Sequence, residues 1–196
     1  MAQINIPLFP LNRVLFPGGE LPLRIFEPRY IDMVRDCMRE DKGFGVVLIE
    51  QGSEVGEAAQ TFRVGTLAKI VDFDQQPDGL LGILARGHER FQILSVEVLP
   101  NKLTMAVVDI WAPEAPERIP QDLHYLVELV KDIETRARVH VAEAACYADA
   151  TWVGFKLAQL LPFNLAYRQS LLEVKEPLER LVMMADIIAK SKPGRR

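Results

Sequence analysis

The hydrophobic period of this chain changes once, near Trp111, and that change restricts it to a sheet-forming part followed by a helical part. Before Trp111 short apolar runs alternate with turn residues. Leu81, Ile83 and Ala85 oppose Gly82, Leu84 and Arg86; Phe91, Ile93 and Ser95 oppose Gln92, Leu94 and Val96; Ala106, Val108 and Ile110 oppose Met105, Val107 and Asp109. This is period-two strand patterning, apolar on both faces in places, as in a closed or well-covered sheet. Pro77-Asp78-Gly79 is a turn signal between two such runs. Gly65 interrupts the run from Phe62 to Phe73 and is expected to mark a bulge. Gly87-His88-Glu89-Arg90 is expected to be a turn.

One helix is expected inside this region. Pro28 suits a first helical turn, where its missing N–H costs nothing. Tyr30, Ile31, Val34, Cys37 and Met38 form an apolar stripe, Asp32, Arg35, Asp36, Arg39 and Glu40 form the wet face, and Gly43 ends the helix before a strand at 44–49. After Trp111, Ala112 to Pro120 holds three prolines in nine residues, which neither ladders nor helices tolerate. The expected organisation is therefore a β subdomain at 1–112, a Pro-rich linker at 113–120 and a helical subdomain at 121–196. In the last, Leu123, Leu126, Val127, Val130, Ile133 and Ala137 share a face. Asp149 and Asn164 are candidate N-caps, Pro162 a stop, and Pro177 opens a last helix. Each helix has one apolar side, so a bundle is expected, with a frayed tail from Lys192 to Arg196.

Composition excludes several function classes. Hydrophobic residues at 49% and charged residues at 26% describe a folded chain rather than a disordered one. The net charge of −4 gives no broad cationic surface for phosphates, which makes nucleic-acid binding unfavoured. Two cysteines, Cys37 and Cys146, are too few for a disulfide framework or a four-cysteine zinc site and are expected to be reduced. The N-terminus lacks a charged segment followed by an apolar core, and no apolar run is long enough to span a bilayer, so the expectation is a cytoplasmic protein without membrane contact.

Catalytic and metal chemistry find no support. Pro17-Gly18-Gly19-Glu20 lacks the lysine of a phosphate loop and is read as a turn. Ser53, Ser95, Ser170 and Ser191 lie in no nucleophile elbow. His88, His124 and His140 are far apart and are read as ordinary histidines. Asp72, Asp74 and Asp78 suggest a calcium loop, but Pro77 stands where that loop turns on glycine and the closing glutamate is missing. The expectation is no catalytic residue, no metal and no cofactor.

The unusual segment is Ile6 to Tyr30, where prolines are spread through strand-like apolar residues. Proline belongs at strand ends, edges and bulges, so these strands should be short and partly unpaired. Such edges suit an incoming extended peptide. Leu11, Phe16, Leu21, Phe26 and Tyr30 are the candidate polypeptide-binding residues, each weighed against a plain core role.

The same segment carries a family resemblance. Ile6-Pro7-Leu8-Phe9-Pro10-Leu11, Leu15-Phe16-Pro17-Gly18 and Pro22 to Tyr30 closely resemble the opening of the Lon protease N-terminal domain. Phe44-Gly45-Val46, 64–68, Asp78-Gly79, Gly87-x-x-Arg90-Phe91, Leu161-Pro162, 169–173 and Glu179-Arg180-Leu181 continue the pattern in order. The resemblance implies an α+β fold, a small PUA-like β-barrel with one inserted helix followed by a C-terminal helical bundle. It also implies a domain that recognises substrate polypeptides. In full-length Lon the ATPase and Ser–Lys protease domains follow; this sequence stops at Arg196, so the expectation is binding without proteolysis. Two alternatives stand beside it: RNA binding through the PUA-like barrel, by fold analogy, and a small-molecule enzyme with a site between barrel and bundle.

Overall fold

A computed structural model of the chain describes residues 3–75, 77–137 and 143–191. His140 and the 192–196 tail lie outside the described residues. The chain divides into two compact units, Met1–Pro113 and Glu114–Arg196. The α+β class expected from the change of period is the class adopted: a mixed sheet with one helix, then helices.

The first unit holds strands β1 (Gln3–Leu11), β2 (Glu20–Ile25), β3 (Phe44–Gln51), β4 (Gln60–Gln75), β5 (Leu81–Val98) and β6 (Thr104–Ile110), with helix α1 (Pro28–Glu40) between β2 and β3. The sheet order is β2-β5-β4-β3-β1-β6, and β5 also pairs with β6. Only β1 and β3 run parallel. The prolines of β1 are explained by a change of partner. Gln3 to Pro7 pairs with β6 and Leu8 to Leu11 with β3, so each half is paired along one side. A proline there can turn its missing donor to the other side. Pro22 lies in β2, which pairs with β5 alone. Residues 12–19 form no strand, yet Leu15 and Phe16 are buried.

Two local expectations are corrected, and a third, at Gly65, gains a second cause. Gly65 does stand at an irregularity: it pairs with Val47, but the next pair of that ladder is Ile49 with Thr61, so β4 carries extra residues beside the glycine, while on the other side Gly65 pairs with Phe91. The glycine is needed for space, because a Cβ would come within 2.6 Å of the Val46 carbonyl oxygen and 2.7 Å of the Phe91 ring. Gly45 faces the same ring at the same distance, so two glycines make room for one buried phenylalanine. Gly87 to Arg90 is no turn. It continues β5, because Gly87 exchanges backbone hydrogen bonds with Gly18 and Gly19 (2.9 Å each) and a Cβ there would lie 2.4 Å from the Phe16 carbonyl oxygen. Finally, α1 ends at Asp41, whose φ of 50° is left-handed and whose N–H reaches the Cys37 carbonyl, two residues before Gly43. Its buried face is Tyr30, Met33, Val34 and Cys37, while Ile31 and Met38 are exposed.

The second unit holds α2 (His124–Ala137), α3 (Ala150–Leu160), α4 (Leu165–Glu173) and α5 (Pro177–Ser191). Asp149 and Asn164 cap as expected, accepting from Thr151 N (3.1 Å) and Tyr167 N (2.8 Å). Helix α2 packs on α3, and α3 on α5. Much of the Pro-rich stretch is bound to this unit. The fully buried Arg180 donates to both carboxylate oxygens of Glu114 and to the carbonyls of Leu171 (3.1 Å) and Val174 (2.7 Å), with its guanidinium over the Phe155 ring (4.0 Å). Ala150 N donates to the Glu117 carbonyl (2.8 Å), Glu117 N to Asp149 Oδ1 (3.2 Å), and Arg118 bridges to Asp149. Glu134, on α2, is also buried, between the Tyr147 hydroxyl (2.5 Å) and Lys156 Nζ (3.2 Å).

Candidate polypeptide-binding groove

The end of β1, the edge strand β2 and the start of α1 enclose a groove of about 270 Å³ in the first unit. Its floor follows from the sequence. Phe9 lies in the buried run Leu8 to Leu11 of β1, and its ring stacks on Tyr30 of α1, with centroids 4.1 Å apart and planes at 21°. Phe44 packs on Phe9 from β3, 6.0 Å away. Leu11 and Ile25 complete the apolar base, and Leu23, Phe26 and Val55 stand around it. Phe26 is 52% exposed and Val55 53%, so both offer apolar surface to solvent.

The rim is polar and balanced in sign: Arg13 and Arg24 against Glu27 and Glu54. Three of these four are held by the fold. Arg24 is paired with Asp78 at the β4–β5 turn. Glu27 bonds the buried Arg29 at 2.9 Å, and Glu54 Oε1 accepts from Asn12 N at 2.6 Å. Arg29 also donates to the Lys102 carbonyl (2.8 Å) and lies over the Tyr30 ring (4.7 Å). Burial raises the Tyr30 hydroxyl pKa above its usual value, with Arg29 opposing the shift. The phenol therefore stays neutral near pH 7. A neutral, aromatic floor with a charge-balanced rim suits apolar side chains on a polar backbone.

The structure separates the five sequence candidates. Leu11, Phe26 and Tyr30 line the groove; Phe16 and Leu21 do not. Leu11, Phe16, Leu21 and Tyr30 are none of them more than 6% exposed. Leu11 and Tyr30 can therefore offer only a floor, and Phe26 is the candidate a partner could grip. Phe9, Leu23 and Val55 also line the groove. Leu23 and Phe9 lie in the proline-interrupted segment and share its signal. Val55 comes from a loop after β3, and no local pattern marks it.

Among the described residues, no group of three His, Cys, Asp or Glu side chains could hold a metal ion. His88 lies in β5, and the His124 ring is 3.1 Å from the Ile119 carbonyl oxygen. Cys37 is a buried free thiol whose pKa burial pushes up to about 11. Among the described residues, no helix is long and apolar enough to cross a membrane.

Comparison with known proteins gives one consistent result. Residues 5–190 match the family model of the ATP-dependent protease La (LON) substrate-binding domain. A Lon protease of Cytophaga hutchinsonii is 28% identical over 195 residues, covering 94% of this chain and 24% of that protein. This chain thus spans about a quarter of the length of that relative. A crystal structure of a Lon N-terminal domain protein from Xanthomonas campestris superposes with a TM-score of 0.81 at 34% identity, covering 93% of this chain and 98% of that one. The N-terminal domain of a Mycobacterium avium complex Lon protease shares the fold, with a TM-score of 0.66 at 17% identity over 93% and 97% of the two chains.

Proposed function

The chain belongs to the Lon substrate-binding domain family, and from that premise we propose that it works by binding exposed or unfolded segments of other polypeptides. The groove at β1, β2 and α1 is their seat, and this chain itself carries out no catalysis. The single observation that carries this reading is the exposed Phe26 beside Val55 over a buried aromatic floor. Exposed apolar surface of this kind, rimmed by polar groups, marks an interaction site more often than a defect. The outer side of β2, which pairs with β5 alone, leaves room for an extended ligand, whose apolar side chains fill the groove. In the same reading, the circuit of pairings from β5 through β4, β3, β1 and β6 back to β5 is a small PUA-like barrel. Helices α2 to α5 are a bundle, and the 113–120 stretch joins the two in sequence.

A charge-balanced rim makes an electrostatic prediction. Polypeptide binding driven by apolar burial changes little with ionic strength, whereas phosphate contacts weaken steeply. The test is a titration with a reduced and alkylated, permanently unfolded protein, and separately with a structured RNA, at low and high salt. Saturable, weakly salt-dependent binding of the unfolded protein supports the proposal. Binding of RNA alone, falling steeply with salt, contradicts it.

A further inference from the structure

A second opening in the first unit lies where β4 and β5 separate; it takes Leu8 and Pro10 of β1, where the β2 groove takes Phe9 and Leu11. The two strands are paired from the Gln75–Leu81 end as far as Val64 and Gln92. Beyond that point they follow different partners. Gln60 and Thr61 pair with β3, and Ser95 to Val98 pair with β6. Between the separated ends is a groove of about 430 Å³, lined on one side by 58–61 and Arg63 and on the other by 93–96 and Val98, with Leu8 and Pro10 of β1, Glu50 of β3 and Thr104 of β6 completing its wall. A strand paired on one side leaves every second residue's N–H and C=O turned to the other. The Ile93 carbonyl shows what stands there now: it accepts a long 3.4 Å hydrogen bond from Arg63 Nη1, a side chain, where a strand would supply a backbone N–H. Leu94, Val96 and Val98 are all exposed beside this edge. Unlike β2, which contains Pro22, the edge from Ile93 to Val98 contains no proline; its pairing with β6 shifts register between Ile93 and Ser95, so the regular edge runs from Ser95 to Val98, and each outward-turned residue there keeps its N–H.

We propose that this opening is a second polypeptide site, at which an extended apolar segment of a partner adds as a strand to the free edge of β5 and displaces the Arg63 side chain. The occupant is fixed by the chemistry of the edge. Its unpaired backbone groups call for a partner with alternating donors and acceptors along an extended chain, and Leu94, Val96 and Val98 call for apolar side chains. An unpaired edge flanked by exposed β-branched residues is otherwise a site of self-association, which an incoming segment would cover. The inference rests on the reading of this domain as a polypeptide binder but places a separate site on it.

The probe is a fluorescent peptide of alternating valine and threonine, with a second version N-methylated at alternate residues, so that side chains stay and backbone donors go. The full chain is tested as wild type, Val96→Lys and Phe26→Asp, with thermal melts to verify that each variant is folded. The expected result is that the parent peptide slows amide exchange in 93–98. N-methylation and Val96→Lys each remove the protection of 93–98 and weaken binding there at least tenfold, and in Phe26→Asp the protection of 93–98 changes less than twofold, whatever affinity the first groove loses. No binding of the parent peptide, or equal binding of its N-methylated version, overturns strand addition. Loss of binding in Phe26→Asp but not in Val96→Lys overturns the second site and leaves the first. Binding unaffected by either substitution contradicts both sites.

Discussion

Gly65 is a position where one methyl group has nowhere to go. A Cβ there meets the Val46 carbonyl oxygen, Val47 Cγ1 and the Phe91 ring, all within 2.7 Å, and two of the three are held by the sheet and core. Gly65→Ala is expected to destabilise the chain by about 1–3 kcal/mol through overpacking, measured as a lower urea midpoint. Cys37 gives a second expectation, in pH. Its folded pKa is about 11, raised from 9.0 first by burial and then by Asp36 and Glu40. The folded state therefore holds the proton that the unfolded chain releases. This contribution is fully present below about pH 9 and is lost as the pH rises through about 11. Urea midpoints are expected to fall between pH ~8 and pH ~10.5, and to fall less in Cys37→Ala; equal falls in both would remove Cys37 as a cause. At this scale the sequence marks Gly65 as special but gives only part of the reason. A bulge and a close approach leave the same trace, a glycine within a β-branched run, and only the neighbouring strands show that both hold at Gly65.

Elements were legible wherever their cause is local. The caps at Asp149 and Asn164, the start of α1 at Pro28 and the turn after Gln75 each follow from residues within one turn of chain. Elements whose cause is distant were not. His88 sits in a strand because Gly87 is bonded to Gly18 and Gly19, about seventy residues away in sequence. Glu134 faces inward on α2 because Tyr147 and Lys156 meet it there. The Pro-rich stretch shows the same limit: its prolines forbid regular structure, but they say nothing of the Glu114–Arg180 pair that binds it to the helices. Arg180 is fully buried, so removing one partner strands the other charge. Arg180→Ala is expected to cost about 3–5 kcal/mol, and replacing both Arg180 and Glu114 with leucine to recover most of that loss. Chemical denaturation of the three chains tests this. A double variant as unstable as the single one would mean that the lost carbonyl contacts to Leu171 and Val174, rather than the stranded charge, carry the effect.

For the whole molecule, family and fold class were legible because many short motifs recur in order across nearly the full length, and because the period of the chain changes once. The proposed binding site was only partly legible. Leu11, Phe26 and Tyr30 do line one groove, but burial divides them into floor and grip, and burial is a property of the assembled sheet. Val55 enters from a loop that no pattern singles out. The net charge of −4 and the balanced rim together favour apolar rather than phosphate partners. The central claim is that unfolded polypeptide is held at Phe26 and Val55, and it is tested most directly by Phe26→Asp combined with Val55→Asp. Both side chains are more than half exposed, so the variant should keep its fold and melting temperature. The measurement is the affinity of wild type and variant for one reduced and alkylated protein, by fluorescence anisotropy. The account expects a loss of at least about tenfold, equivalent to about 1.4 kcal/mol, with the folded form of the same protein bound by neither. An affinity unchanged in the folded double variant would contradict it.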